Sequence, residues 1–165
     1  MFPVVLSSNG WNAAVFGGGK VAERRVMKLL DAGMNVEVFS KRFSAALTKV
    51  NNSNLKLVTI DLNKTVINYK KFDIIFIATD DYTLNNKLES ESKKECKLVN
   101  RADKIVDFIV PATIEMDNIK ISISTTGKSP VMAKEIKKRL KKVLTKEDLL
   151  FIELQEFTRY KLKEK

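Results

Sequence analysis

The stretch NAAVFGGGKVAERRVMKLLDAG, residues 12–33, decides the fold. Asn12 to Gly17 form an apolar run of buried-strand length. From Val21 onward the apolar residues Val21, Ala22, Val26, Leu29 and Leu30 keep helical spacing, and Gly33 is a natural helix stop. Between strand and helix lies Gly17-x-Gly19-x-x-Ala22. At such a junction the pattern has a mechanism: the first Gly turns tightly, the second lets backbone approach a pyrophosphate, and the small third residue lets helix pack on strand. The helix start then offers free N–H groups and a partial positive charge. The expectation is a dinucleotide held by Gly17, Gly18, Gly19, Lys20, Val21 and Ala22. The bland alternative is an ordinary Gly-rich strand-to-helix turn.

PVVL (3–6) is a short apolar run and SSNG a turn. NVEVFS (35–40), LKLVTI (55–60), DIIFIATDD (73–81) and KLVN (97–100) read as strands, with helices at SAALTKVNN (44–52) and LNNKLESESKKE (84–95). This alternation predicts an α/β, Rossmann-type, doubly wound parallel sheet over residues 1–110. After Pro111 the rhythm changes. IKISIS (119–124) is a half-exposed strand, and the helix VMAKEIKKRLKKVL (131–144) puts Met132, Ile136, Leu140 and Val143 on one face. That small α+β segment, 111–145, is too short for its own core, so a second subunit is expected to cover it. A short helical tail, 146–165, carries Leu150, Leu154 and Phe157 in line.

Composition excludes several chemistries. The chain has 165 residues, a net charge of +10, one cysteine (Cys96) and no histidine. Without His, the commonest general base and metal ligand are gone, so proton transfer falls to Asp, Glu, Lys or Tyr. A lone Cys makes no internal disulfide, which fits the cytoplasm. No apolar run is long enough to span a membrane, and no signal-peptide pattern opens the chain. Residues 128–146 hold eight Lys/Arg against one acid, Glu135. Such a run is a solvated face or attracts a polyanion, and it suits a polycarboxylate small molecule. A nucleic-acid reading lacks interleaved aromatics, so none is expected as partner.

At the tip of the second strand, a dinucleotide enzyme places the group that reads the ribose. Here stand Ser40, Lys41 and Arg42, while Glu37 lies inside the strand. Ser40 alone suits NAD; with Lys41 and Arg42 it suits NADP, and both stay open. The fourth strand ends in Thr79-Asp80-Asp81, placed to face cofactor or substrate, with at least one Asp expected to cap the next helix. STTGKSP (124–130) imitates the end of a phosphate-binding P-loop, but the first Gly of that motif would fall at Ser122. It reads instead as a turn, with Ser129 as N-cap and Pro130 in the first helical turn.

FGGGKVAERRVMKLLDAG, IATDDYTLN, VNRAD, DFIVPA and ISISTTGKSP occur in that order. As a set they resemble the precorrin-2 dehydrogenases, the N-terminal module of siroheme synthases, over roughly residues 3–142. The resemblance implies oxidation of precorrin-2 to sirohydrochlorin with NAD⁺, iron insertion in some members, and a homodimer. It marks Asp103 as the key carboxylate and Thr79, Asp80 and Asn85 as lining the site. Three departures stand out: a shorter stretch from Asp103 to Phe108, a helical tail that is largely missing, and no His.

A carboxylate must then take the proton that accompanies hydride loss. Asp103 is the candidate; a local Asx turn is its bland reading and Asp107 competes. For the tetrapyrrole's carboxylates the candidates are Asn100, Arg101, Gly127, Lys128 and Ser129. No stable metal site is expected; if iron is inserted, Asp103 would take pyrrole protons and hold the ion transiently. The rival is a non-enzymatic NAD(H)-binding sensor.

Overall fold

The computed structural model describes residues 1–95, 98–116 and 119–163. Cys96 lies outside the described residues, as does the side chain of Phe157. The chain divides into two compact units, Phe2–Phe108 and Ile109–Lys165.

The first unit runs β1 (Asn12–Phe16), α1 (Lys20–Asp31), β2 (Asn35–Ser40), α2 (Ala45–Lys49), β3 (Leu55–Thr59), β4 (Ile74–Ile77), α3 (Tyr82–Lys94) and β5 (Leu98–Arg101). All five strands are parallel, in the order β3-β2-β1-β4-β5. The order reverses between β1 and β4, the switch point where such sheets open a crevice. One row of the register joins Phe39, Phe16, Ile77 and Arg101 across four strands. The residues just past that row therefore share the sheet's C-terminal edge.

The central strands are buried because both faces are covered. Ala13 to Phe16 and Ile74 to Ile77 are at most 3% exposed. Val26 and Leu29 of α1 bury against one face. On the other, Phe16, Phe39, Tyr69, Phe72, Ile75, Ile77, Leu84, Leu88 and Val99 form one cluster. Phe16 packs on Phe39 at 5.5 Å and edge-on to Tyr69 at 6.0 Å. The crossover from β3 to β4 carries only a 3₁₀ turn, Tyr69–Lys71, and no α-helix. The 3–6 run forms no strand: Val4 and Val5 are exposed.

The second unit holds an antiparallel pair, β6 (Ala112–Met116) and β7 (Ile119–Ile123), then α4 (Pro130–Val143) and α5 (Lys146–Lys163). β6 is absent from the sequence reading, although Ile114 and Met116 alternate with Thr113 and Glu115. β7 is half-exposed along its length, and Val131, Met132 and Val143 of α4 stand exposed. Among the described residues no helix is long and apolar enough to cross a membrane.

Candidate functional site

Gly17 has φ +114°, and a β-carbon there would lie 2.4 Å from the Ala78 carbonyl oxygen. Only Gly fits that turn, which leads from β1 into α1 against the residues just past β4. Gly18 is confined differently: its added β-carbon would meet the Arg42 carbonyl oxygen at 2.0 Å. The turn is tied to β2 and its loop by Gly17 N–H to Phe39 O at 2.9 Å and Ser44 N–H to Gly18 O at 2.8 Å. At Gly19 an added β-carbon meets nothing within 4 Å, so this residue faces open space.

Gly19 caps α1 without a side-chain acceptor. Side chains cap the other α-helices: Ser44 accepts from Leu47 N–H, Asp81 from Leu84 N–H, Ser129 from Met132 N–H, and Thr145 Oγ1 from Asp148 N–H. The first-turn N–H groups of Lys20, Val21 and Ala22 thus have no side-chain acceptor among the described residues. Open space at Gly19, free donors and the helix dipole fit a dinucleotide's pyrophosphate. Ala22 is fully buried, as the pattern requires.

At the β2 tip, Ser40 Cβ lies 3.0 Å from the β-carbon that Gly18 lacks, so Ser40 borders the glycine turn. Lys41 Nζ pairs with Asp61 Oδ2 at 3.1 Å. That hydrogen bond, ahead of one from the Asn63 backbone, holds the Asp61 carboxyl below its usual range. Arg42 is exposed beside them and makes no salt bridge among the described residues. Glu37 is bound by Lys71 Nζ at 2.8 Å from both oxygens, away from the tip.

Beyond β4, Asp81 caps α3 and Asp80 stays exposed. Thr79 Oγ1 donates to Asn85 Oδ1 at 2.5 Å, and Asn85 Nδ2 donates back to Thr79 O at 3.2 Å. Asn85 is 3% exposed, so its amide shapes the turn from beneath.

At the end of β5, Asp103 accepts from Arg101 through both oxygens: Nε to Oδ1 at 2.8 Å and Nη2 to Oδ2 at 2.5 Å. This fork is the first cause holding its carboxyl below the usual range; partial burial opposes it. The Arg101 side chain has no exposed surface. Its Nη1 donates to Asn86 Oδ1 and Glu89 Oε2, so four of its five N–H groups are engaged by side chains of the same unit. Asn100 is likewise turned inward, its Nδ2 donating to Phe108 O at 2.8 Å. Asp107 accepts from Val99 N–H at 2.9 Å and pairs with Lys93, closing the open edge of β5.

The sheet edge therefore gathers Gly17–Gly19, Ser40, Thr79, Asp80 and Asp103. β1 and β5 stand two strand spacings apart, roughly 10 Å. Gly127, Lys128 and Ser129 belong to the other unit. There Thr126 (φ +52°) and Gly127 (φ +82°) make a mirror-type turn closed by Lys128 N–H to Thr125 O, with Lys128 exposed. Sequence reasoning missed the Arg101–Asp103 fork, though residues two apart in extended chain share a side. A pocket of about 260 Å³ between the 63–69 loop and α3, lined by Asn63, Thr65, Tyr69, Lys87 and Glu91 among others, contains none of the expected site residues.

A family model described as "Putative NAD(P)-binding" matches residues 4–112, and one described as "Sirohaem biosynthesis protein central" matches 117–142. The chain is 37% identical over 163 residues to "Putative precorrin-2 dehydrogenase" of Methanocaldococcus jannaschii, covering 92% of this chain and 78% of that protein. It is 30% identical over 168 residues to "Precorrin-2 dehydrogenase" of Methanosarcina barkeri, covering 98% and 75%. The solved structure of "SirC, precorrin-2 dehydrogenase" matches with a TM-score of 0.71 at 25% identity, over 93% of this chain and 76% of that one.

Proposed function

This chain belongs to the precorrin-2 dehydrogenase family, and from that premise we propose that it oxidises precorrin-2 to sirohydrochlorin in siroheme synthesis, with NAD⁺ as hydride acceptor. The observation that carries the reading is the shared sheet edge: the uncapped start of α1 and the Asp103 carboxylate follow strands joined in one register row.

The nicotinamide cofactor supplies the hydride acceptor when bound. The chain's residues do the rest. The N–H groups of Lys20, Val21 and Ala22 hold the pyrophosphate, over Gly17, Gly18 and Gly19. Ser40 receives the adenosine ribose. NAD fits better than NADP because Lys41 is engaged by Asp61, leaving Arg42 as the one cation at that tip without a salt bridge among the described residues. Thr79, fixed by Asn85, and Asp80 border the reacting end. Asp103 accepts the proton released as the substrate loses hydride, and the fork from Arg101 keeps it ionised and oriented to do so.

The substrate is a tetrapyrrole rich in carboxylates. Lys128 and the exposed lysines of α4 favour its approach through long-range charge. Gly127 gives the turn that presents Lys128, and Ser129 fixes it by capping α4. A homodimer in the cytoplasm, covering the exposed apolar residues of α4, completes the reading, with neither nucleic acid nor membrane as partner. No three His, Cys, Asp or Glu side chains gather as a metal-holding group among the described residues. The NAD(H)-sensor alternative has no observation in its favour. Anaerobic mixing of the protein with NAD⁺ and precorrin-2 separates them: absorbance growth at the NADH band supports the enzyme, and tight NAD⁺ binding without it supports the sensor.

A further inference from the structure

Three side chains aim four oxygens at one buried guanidinium. Asp103 Oδ1 and Oδ2, Asn86 Oδ1 and Glu89 Oε2 accept from Arg101 at 2.8, 2.5, 2.7 and 2.6 Å. Lys104 Nζ adds a contact to Glu89 at 2.8 Å, and the Tyr82 ring lies 5.3 Å from the guanidinium carbon. Two acids and two bases make the cluster neutral. An oxygen-lined, doubly anionic cradle is what a hard divalent cation seeks. Here the chain fills it with its own cation.

We propose that Arg101 is a positioning residue that occupies this cradle, so that Asp103 is presented to the substrate as a proton acceptor and not as a ligand for an incoming metal ion. The inference rests on the reading of Asp103 given above. A divalent ion reaching Asp103 would have to displace a guanidinium with no exposed surface or bind beside it. Displacement leaves Arg101 buried without its partners, which is strongly unfavourable, and binding alongside adds like-charge repulsion. The fork also fixes the carboxylate plane, which a Lys in its place cannot do.

The test uses the full chain as wild type, Arg101→Lys, Arg101→Met and the double variant Arg101→Met/Asp103→Asn, with Mn²⁺ as probe read by loss of its free-ion EPR signal. Arg101→Met is expected to tighten Mn²⁺ binding by about tenfold or more, the double variant to lose that gain, and Arg101→Lys to match wild type. Arg101→Lys is expected to lower kcat about tenfold with the KM for NAD⁺ within about twofold, the split expected of a lost orientation rather than a lost fold. Unchanged Mn²⁺ affinity in Arg101→Met, or an unchanged kcat in Arg101→Lys, overturns the proposal. Should Arg101→Met fail to fold, wild type decides with sirohydrochlorin and Co²⁺: insertion at the buffer rate supports it, and catalysed insertion overturns it. Absence of NADH formation in wild type would instead overturn the dehydrogenase reading, while the Mn²⁺ comparison still scores this one.

Discussion

A β-carbon on Gly18 would stand 2.0 Å from the carbonyl oxygen of Arg42, whereas one on Gly19, the next residue, would meet nothing within 4 Å. Two adjacent glycines thus serve different ends. Gly18→Ala must push the loop after β2 and is expected to destabilise the fold by about 2 kcal/mol or more. Gly19→Ala is expected to leave thermal stability nearly unchanged and weaken NAD⁺ binding about tenfold, because its methyl fills the space intended for phosphate. Thermal melts with and without NAD⁺ check both.

Lys41 is held by Asp61, whereas Arg42 has no salt bridge among the described residues. Asp61→Asn should free the Lys41 ammonium and raise kcat/KM for NADP⁺ by a few-fold, the size expected of one exposed cation near a phosphate. Arg42→Ala should lower NADP⁺ use and leave NAD⁺ use within about twofold. Parallel steady-state assays with the two cofactors measure this.

Asp103→Asn removes the proton acceptor but keeps its size. The expected result is a kcat loss of about 10²-fold or more with NAD⁺ affinity unchanged. The Arg101 fork holds the folded carboxyl below its usual range. Its ionised state, and the stabilisation from the pair, are therefore complete above the ordinary Asp value of about 3.9 and lost only as pH falls through the lower folded value. Accordingly the acid limb of kcat/KM should lie below about pH 4. An Asp103-dependent limb near pH 6 would contradict the pairing.

Asp107 competes with Asp103 in sequence but not in geometry. It holds Val99 N–H and Lys93 at the sheet edge. Asp107→Ala should cost about 1–3 kcal/mol in urea unfolding, since it orphans a backbone donor, with kcat within about twofold.

Local signals made the strand-turn-helix of residues 12–33, the buried β4 and the ends of most elements readable. A period of 2 or 3.6 and a helix stop lie within a few residues of each other. A cap at Asp80 or Asp81, and one at Ser129, were readable for the same reason, and the structure puts the first on Asp81. The rest depends on contacts distant in sequence. Gly18 is needed because Arg42, 24 residues on, returns against it. Arg101 looked like a ligand for substrate carboxylates until α3 brought Glu89 and Asn86 to its other side. Lys41 looked available for a phosphate until β3 delivered Asp61. In each case charge and motif were visible in the sequence, and the partner that redirects them was not.

NADH absorbance, followed when the full chain is mixed anaerobically with NAD⁺ and precorrin-2, is the decisive measurement. The expected result is stoichiometric conversion to sirohydrochlorin, one NADH for each precorrin-2 consumed, slowed about 10²-fold or more in Asp103→Asn. A folded, NAD⁺-binding wild type that forms no NADH, or an Asp103→Asn variant that turns over at the wild-type rate, would contradict it.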